Sequence, residues 1–447
     1  MTSAVSTSEE KSLIGTRFEV EVGAVAHGGF CVARHEGRAV FVRHTLPGER
    51  VVVEVTEGHD ESRYLRADAV EVLVASPDRV ESACLVSGPG GCGGCDWQHA
   101  SLIGQRALKA AVVTEQLKRL AGIDREIEVQ KVPGVPGQPE GLHWRTRVKF
   151  AVDAEGHAGL RRSRSHEVIA LSTCPIAHPR VLEAGVLEVT WPGAASVSVA
   201  APTGPRVETN ESSVRVEYLQ STTKADEAEK AKTSRKRPGA GRKPVAPKTT
   251  GHQAMGPLTV VNDAAGRLWR SRVDGFWQVH PSAPDTLVAA VLRVLKPGVH
   301  DVVWDLYAGV GLFAGAIAPS VDAVMAVESE ADACRDAERN LKDLPQVSVV
   351  HARVDQWLRP GARGNLDENP DLVVLDPPRK GAGDQIVRAI AAAAPRAVAY
   401  VACDPAALAR DVALFAAQGY VLDSLEAFDL FPMTHHVECV AGFVPQA

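Results

Sequence analysis

The sequence predicts an α/β fold: a doubly wound, Rossmann-like catalytic domain behind a small OB-like β-barrel and a central α+β region. Three observations carry this. From Val302 to the C-terminus, apolar strand-like runs alternate with helix-forming segments. From about Ile14 to Val74 the pattern is instead short β segments separated by turn residues. Between the two lie a cysteine- and glycine-rich stretch, an amphipathic helix and a basic hairpin.

Length and composition bound the reading. A chain of 447 residues with 45% apolar and 23% charged residues fits about three globular domains. The net charge is −6, so contact with nucleic acid has to come from local basic patches. The N-terminus lacks the basic-then-apolar pattern of a secretory signal, and no apolar run is long enough to span a bilayer, so a cytoplasmic location is expected. Eight cysteines in such a compartment argue for metal binding or catalysis over disulfides.

In order, residues 1–12 read as a disordered polar tail and 13–75 as the barrel. Its Gly28-Gly29 pair, Ala39-Val40-Phe41-Val42 strand and Leu46-Pro47-Gly48-Glu49 turn resemble a TRAM domain, an RNA-binding module of this length. Residues 76–202 form the central domain, where Cys92 and Cys95 make a C-x-x-C pair among glycines, with Cys84 upstream and Cys174 far downstream. Four thiolates suit either a [4Fe–4S] cluster or a structural zinc, and spacing does not choose between them. Cys31, Cys334 and Cys439 read as small apolar residues.

The stretch from His99 to Ala121 has the period of an amphipathic helix and is expected to pack on the sheet that follows it. Residues 143–164 read as a hairpin in which Arg145, Arg147 and Lys149 share one face, either solvated or set against RNA phosphates. Residues 203–256 are expected to be a disordered basic insertion, because nine basic groups stand against three acidic ones between Lys224 and Lys248. The catalytic domain follows at 257–447.

In that domain Val302 to Tyr307 runs as a strand into Ala308-Gly309-Val310-Gly311, where glycines let a ligand approach the backbone. The turn also satisfies G-x-G-x-x-A, which keeps a nicotinamide-dependent oxidoreductase as a rival. Glu328 ends the next strand, placed to accept hydrogen bonds from the ribose hydroxyls of either NAD or S-adenosylmethionine, and Asp355 either borders an adenine or is a surface acid. Asp376, followed by Pro377 and Pro378, sits in a stiff strand-end loop that a dehydrogenase does not need. Cys403 ends a further apolar strand, and a thiolate there is positioned to attack an electrophilic carbon. Glu438 opens the last strand; its neighbours His435 and His436 are by themselves a weak metal signal.

Asp305 to Gly311, Asp376 to Gly381, Cys403-Asp404-Pro405 with Leu408 to Asp411, and Phe431-Pro432 through His436-Val437-Glu438 resemble, in order and spacing, the RNA 5-methyluridine methyltransferases. With the barrel and four cysteines, the likeness is to the 23S rRNA branch, whose members carry TRAM and a [4Fe–4S] cluster. The resemblance implies a class I fold binding S-adenosyl-L-methionine. It further implies Cys403 as nucleophile, Glu438 as base, Gln278, Tyr307, Gly309, Glu328 and Asp376 as cofactor contacts, and Cys84, Cys92, Cys95 and Cys174 as cluster ligands. His280, Met433 and Leu312 depart from the family pattern and bear on substrate choice. The expected activity is methylation of uridine C5 in RNA, with a tRNA substrate, an oxidoreductase and a non-catalytic RNA-binding protein as alternatives.

Overall fold

The computed structural model describes residues 11–208, 211–219, 249–359, 361 and 369–446. The first unit is a closed five-stranded barrel built from Arg17–Ala26, Phe30–His35, Arg38–Arg43, Arg50–Glu57 and Tyr64–Val74. Period-two alternation sends Val20, Val22, Val40, Val42, Val51, Val53 and Val55 inward, with Cys31 among them. Glu49, from the Leu-Pro-Gly-Glu turn, is buried, which alone would raise its pKa. The Arg79 guanidinium and the N–H groups of Leu46 and Ser76 outweigh burial and hold it at about 2. One carboxylate thereby fastens the chain leaving the barrel back onto it.

The central region contains a six-stranded sheet in the order Thr249–Met255, Ser213–Leu219, Ala194–Ala200, Arg147–Val152, Ala158–Arg161, Val168–Ala170. Two of these strands correct an expectation. Ser213–Leu219 and Thr249–Met255 lie inside the stretch 203–256 read as disordered, yet they pair with each other, and the first pairs with Ala194–Ala200. Val214 and Val216 are buried at period two, a short alternation hidden by the charge averaged over fifty residues. The strongly basic residues 220–248 fall outside the described residues.

The basic hairpin face is also revised. Arg147 is buried, donating to the carbonyls of Arg272 and Gly275 and to Ser271 Oγ, and Lys149 pairs with Glu217. Arg145 Nε donates to the Arg147 carbonyl, so all three cations meet protein partners.

The third unit is an eight-stranded sheet in the order Val347–His351, Ala323–Glu328, Val302–Leu306, Leu372–Leu375, Ala397–Ala402, Glu438–Pro445, Tyr420–Phe428, Val129–Gln130. The first five are parallel, and Glu438–Pro445 runs antiparallel between Ala397–Ala402 and Tyr420–Phe428. The four inner parallel strands are buried on both faces and read as largely apolar runs, whereas the edge strand Val347–His351 is only partly buried. The helix Leu102–Gln116, begun by Ser101 accepting from the Gly104 N–H, packs on the sheet that follows it through Leu102 at its first turn, but its C-terminal end turns elsewhere. Val113, and Leu117 just beyond, enter the core of this C-terminal sheet instead. The local period predicts an apolar face but not which sheet receives it.

On the opposite face, the hairpin Thr259–Ala264 and Arg267–Arg272 brings Trp269 against the helix Leu312–Ile317. Gly315 in that helix faces the ring, and a Cβ there would stand 2.6 Å from Trp269 Cη2 and 2.8 Å from Leu341 Cδ2. Alanine ordinarily favours a helix over glycine by about 1 kcal/mol. Here overpacking reverses the sign, and Gly315→Ala is expected to destabilise by about 1–3 kcal/mol. Urea denaturation checks it, and an unchanged or raised midpoint would contradict the packing argument.

Candidate active site

The parallel strand order reverses between Val302–Leu306 and Leu372–Leu375, which opens a crevice beyond their carboxyl ends. Tyr307 follows the first of these strands with φ +65°, a left-handed conformation that a non-glycine residue holds only under constraint. Gly309 has φ +56°, and a Cβ there would meet nothing within 4 Å, so its backbone is open to the cleft. Its N–H donates to Glu328 Oε2 at 2.9 Å, while Glu328 Oε1 accepts from the N–H groups of Ser329 (2.6 Å) and Glu330 (2.8 Å). The carboxylate is thereby oriented, with one lone pair of Oε2 still free for a ligand hydroxyl.

Across the switch point, the N–H of Asp376 donates to Leu306 O at 3.2 Å. Cys403 follows Ala397–Ala402, and Asp404 caps the helix Pro405–Ala417 through Oδ1, which accepts from the Ala407 N–H at 2.8 Å. Glu438 begins the neighbouring antiparallel strand, where Cys439 pairs with Ala402. A single cleft of about 1400 Å³ is lined by Cys403, Glu438, Gln278, Tyr307, Gly309, Glu328 and Asp376. Asp355 lines it too, paired with Arg353.

The electrostatics are those of crowded acids away from water. Burial, and then the charge of Asp376, push Glu438 well above the usual carboxylate range; burial raises Asp376 as well. Two such carboxyls resist carrying two charges at once. Burial, with Glu438 and Asp376 adding, pushes the Cys403 thiol up to about 12, while Arg379 opposes the shift. Asp305, fully enclosed at the base of the glycine turn, is pushed up to about 7 by burial despite accepting from the Ala314 N–H.

Several residues that shape the site are assigned no role from the sequence, although Asp411, Arg379 and His436 lie within its motifs. Asp411, in the helix after Cys403, accepts from the Tyr400 hydroxyl at 2.6 Å and the Ala382 N–H at 2.7 Å, and so fixes the loop after Asp376 to the Cys403 strand. Arg379 and His436 face each other at 3.5 Å within the cleft. From the barrel, His27 Nε2 stands 3.1 Å from Asp404 Oδ2. Lys109 Nζ donates to Asp429 Oδ1 at 2.5 Å and to Phe431 O at 3.0 Å.

The expected four-thiolate metal centre is not assembled as such. Among the described residues no group of three or more His, Cys, Asp or Glu side chains is arranged to hold a metal ion. Cys84, Cys92, Cys95 and Cys174 are nonetheless neighbours, since Cys174 and Cys92 each raise the Cys95 thiol and Cys84 raises those of Cys92 and Cys174. Burial is the larger cause for all three and puts Cys95 at about 12. Two of the thiols accept from N–H donors: Cys92 Sγ from Gly94 N and Cys95 Sγ from Gln98 Nε2, each at 3.4 Å. Gly93 is required between them, because a Cβ would lie 2.7 Å from the Ser163 nitrogen.

A family model for the TRAM domain matches residues 11–70, and one described as tRNA (Uracil-5-)-methyltransferase matches residues 365–443. An uncharacterised RNA methyltransferase of Streptomyces coelicolor is 48% identical, aligned over 98% of this chain and 95% of that one. One from Bifidobacterium longum is 37% identical over 95% and 96%. Among solved structures, the Pyrococcus abyssi tRNA (uracil-54, C5)-methyltransferase in complex with S-adenosyl-L-homocysteine shares the fold, with a TM-score of 0.64 at 20% identity, covering 95% of this chain and 99% of that one. With identity this high across nearly the whole chain and both models matched, the chain belongs to the TRAM-containing family of S-adenosylmethionine-dependent RNA uracil-C5 methyltransferases.

Proposed function

We propose that this enzyme methylates C5 of a uridine in 23S rRNA through a covalent adduct between Cys403 and C6 of the base. The observation that carries the reading is the convergence of Cys403, Glu438 and Asp376 on the same cleft as Gln278, Tyr307, Gly309 and Glu328. The 23S rRNA assignment rests on the likeness of barrel and cysteines together. A tRNA uridine is the second reading, favoured by the tRNA description of the matching family model.

Uracil C5 is too weak a nucleophile to take a methyl group directly. The Cys403 sulfur bonds to C6, its proton passing to water in the cleft, and the C5–C6 π electrons move onto C5 and O4. C5 then attacks the methyl of S-adenosylmethionine, whose carbon–sulfur bond breaks to leave S-adenosylhomocysteine. Glu438 takes the remaining C5 proton, the double bond re-forms, and the bond from C6 to sulfur breaks to return the thiolate. A carboxylate whose pKa is raised by burial is a stronger base for that proton than an exposed one. The target base has to leave its stack to reach sulfur.

The four cysteines support a further part of the proposal, a [4Fe–4S] cluster with zinc as the alternative. Its support is their neighbourhood and the N–H donors beside their sulfurs, not ligating geometry. No electron moves in the methyl transfer, so the group's role is structural.

Cys403→Ala is expected to abolish methylation and keep S-adenosylmethionine binding, whereas Glu438→Gln should accumulate a denaturation-resistant RNA adduct. Gel shift and calorimetry read both, and full activity of Cys403→Ala would reject the adduct. Because burial keeps the thiol protonated at neutral pH, the rate of adduct formation with 5-fluorouridine RNA should climb steadily from about pH 6 to about pH 9. A rate flat above neutrality would mean that the thiol is already ionised. Anaerobically purified protein should contain iron and sulfide; stoichiometric zinc without iron would replace the cluster by zinc. Mapping 5-methyluridine in cellular RNA with and without the gene decides between rRNA and tRNA.

A further inference from the structure

The loop that delivers Glu438 is gripped from the central domain at every turn. Residues 429–437 join Tyr420–Phe428 to Glu438–Pro445, and Met433 near their middle has φ +69°, the left-handed region that a side-chain-bearing residue avoids. Its backbone is fully engaged. The Met433 N–H donates to Gln105 Oε1 at 2.7 Å, and its carbonyl accepts from the N–H groups of Asp96 and Trp97, both at 3.0 Å. Gln105 Nε2 reaches Met433 Sδ at 3.3 Å, so the methionine that departs from the family pattern has a matching partner here. Two residues on, Asp96 Oδ2 stands 2.6 Å from His435 Nδ1 and accepts from the His435 N–H at 3.2 Å. Gln105 is fully buried and has no contact with the cleft.

We propose that Gln105 and Asp96 are positioning residues for the catalytic base: they hold Met433 and His435 in the one loop conformation that aims Glu438 at the C5 proton. The proposal rests on the adduct mechanism given above. Cys403 is carried by a different strand and helix, fixed by Asp404 and Asp411, so the grip acts on proton removal and leaves sulfur attack alone.

The two steps separate experimentally. With 5-fluorouridine RNA there is no C5 proton to remove, and trapping reports attack and methyl transfer only. With uridine RNA, turnover also needs the base. Gln105→Ala should trap 5-fluorouridine RNA at a rate within about twofold of the parent, turn over uridine RNA about 10- to 100-fold more slowly, and accumulate methylated adduct on it. Adding Met433→Gly, which takes a left-handed φ without steric cost, should recover much of the loss. Asp96→Asn, which keeps the size and removes the charge facing His435, should show the same split and serves if Gln105→Ala does not fold. Equal slowing of trapping and turnover, or no change in either, overturns the positioning role. Failure of the unsubstituted enzyme to trap 5-fluorouridine RNA overturns the adduct mechanism, and the positioning role with it.

Discussion

A lysine and an aspartate removed from water hold the two halves of this chain in register. Lys109 is wholly buried on the helix Leu102–Gln116, and Asp429 is 3% exposed at the root of the loop leading to Glu438. Burial lowers the pKa of the lysine, and the charge of Asp429 opposes that shift. Such a pair adds little net stability against an apolar replacement, but either partner left alone costs about 3–5 kcal/mol. It therefore discriminates: a displaced helix would strand a charge. The active site depends on that discrimination, because the catalytic sheet supplies Glu438 while a helix far away in the chain fixes the loop before it.

The readable parts of the site were those whose geometry is local. Asp376-Pro377-Pro378, the glycine turn after Tyr307 and the strand-to-helix junction at Cys403 each carry their conformation in a few adjacent residues, and all of them line one cleft. The barrel was legible for the same reason, since its inward valines alternate strictly. What escaped is long-range. Lys109 and Asp429 are 320 residues apart, Asp96 and His435 are 339 apart, and no periodicity links them. The strands Ser213–Leu219 and Thr249–Met255 were hidden differently, by a composition averaged over too long a window. Arg147 looked like a surface cation because strand parity says nothing about a hairpin packed over that face, and the carbonyls of Arg272 and Gly275 receive it.

Crowding of acids is the site's second organising feature. Asp305 and Glu438 are buried and Asp376 half-buried around the strand ends, and burial raises all three. An enzyme that has to deprotonate carbon gains from a base whose ionised form is disfavoured, because the proton is then held more firmly once taken. The same environment disfavours the thiolate of Cys403, and Arg379 is the cation that counters it. Cys403 and Glu438 thus share one low-dielectric pocket, in which the Arg379 guanidinium opposes the shift of the thiol.

The contact between His27 and Asp404 has a consequence for how the molecule is divided. The barrel touches the residue next to Cys403, and its Gly29 packs against His435 and Asp96, where a Cβ would come within 3.0 Å of His435 Cβ. None of its described residues lines the cleft, so the barrel is a brace behind the loops that form the cleft and not an appendage on a leash. A chimera given some other oligonucleotide-binding module would inherit a cleft whose Asp404 and His435 loops lack that brace, however tightly the graft held its strand.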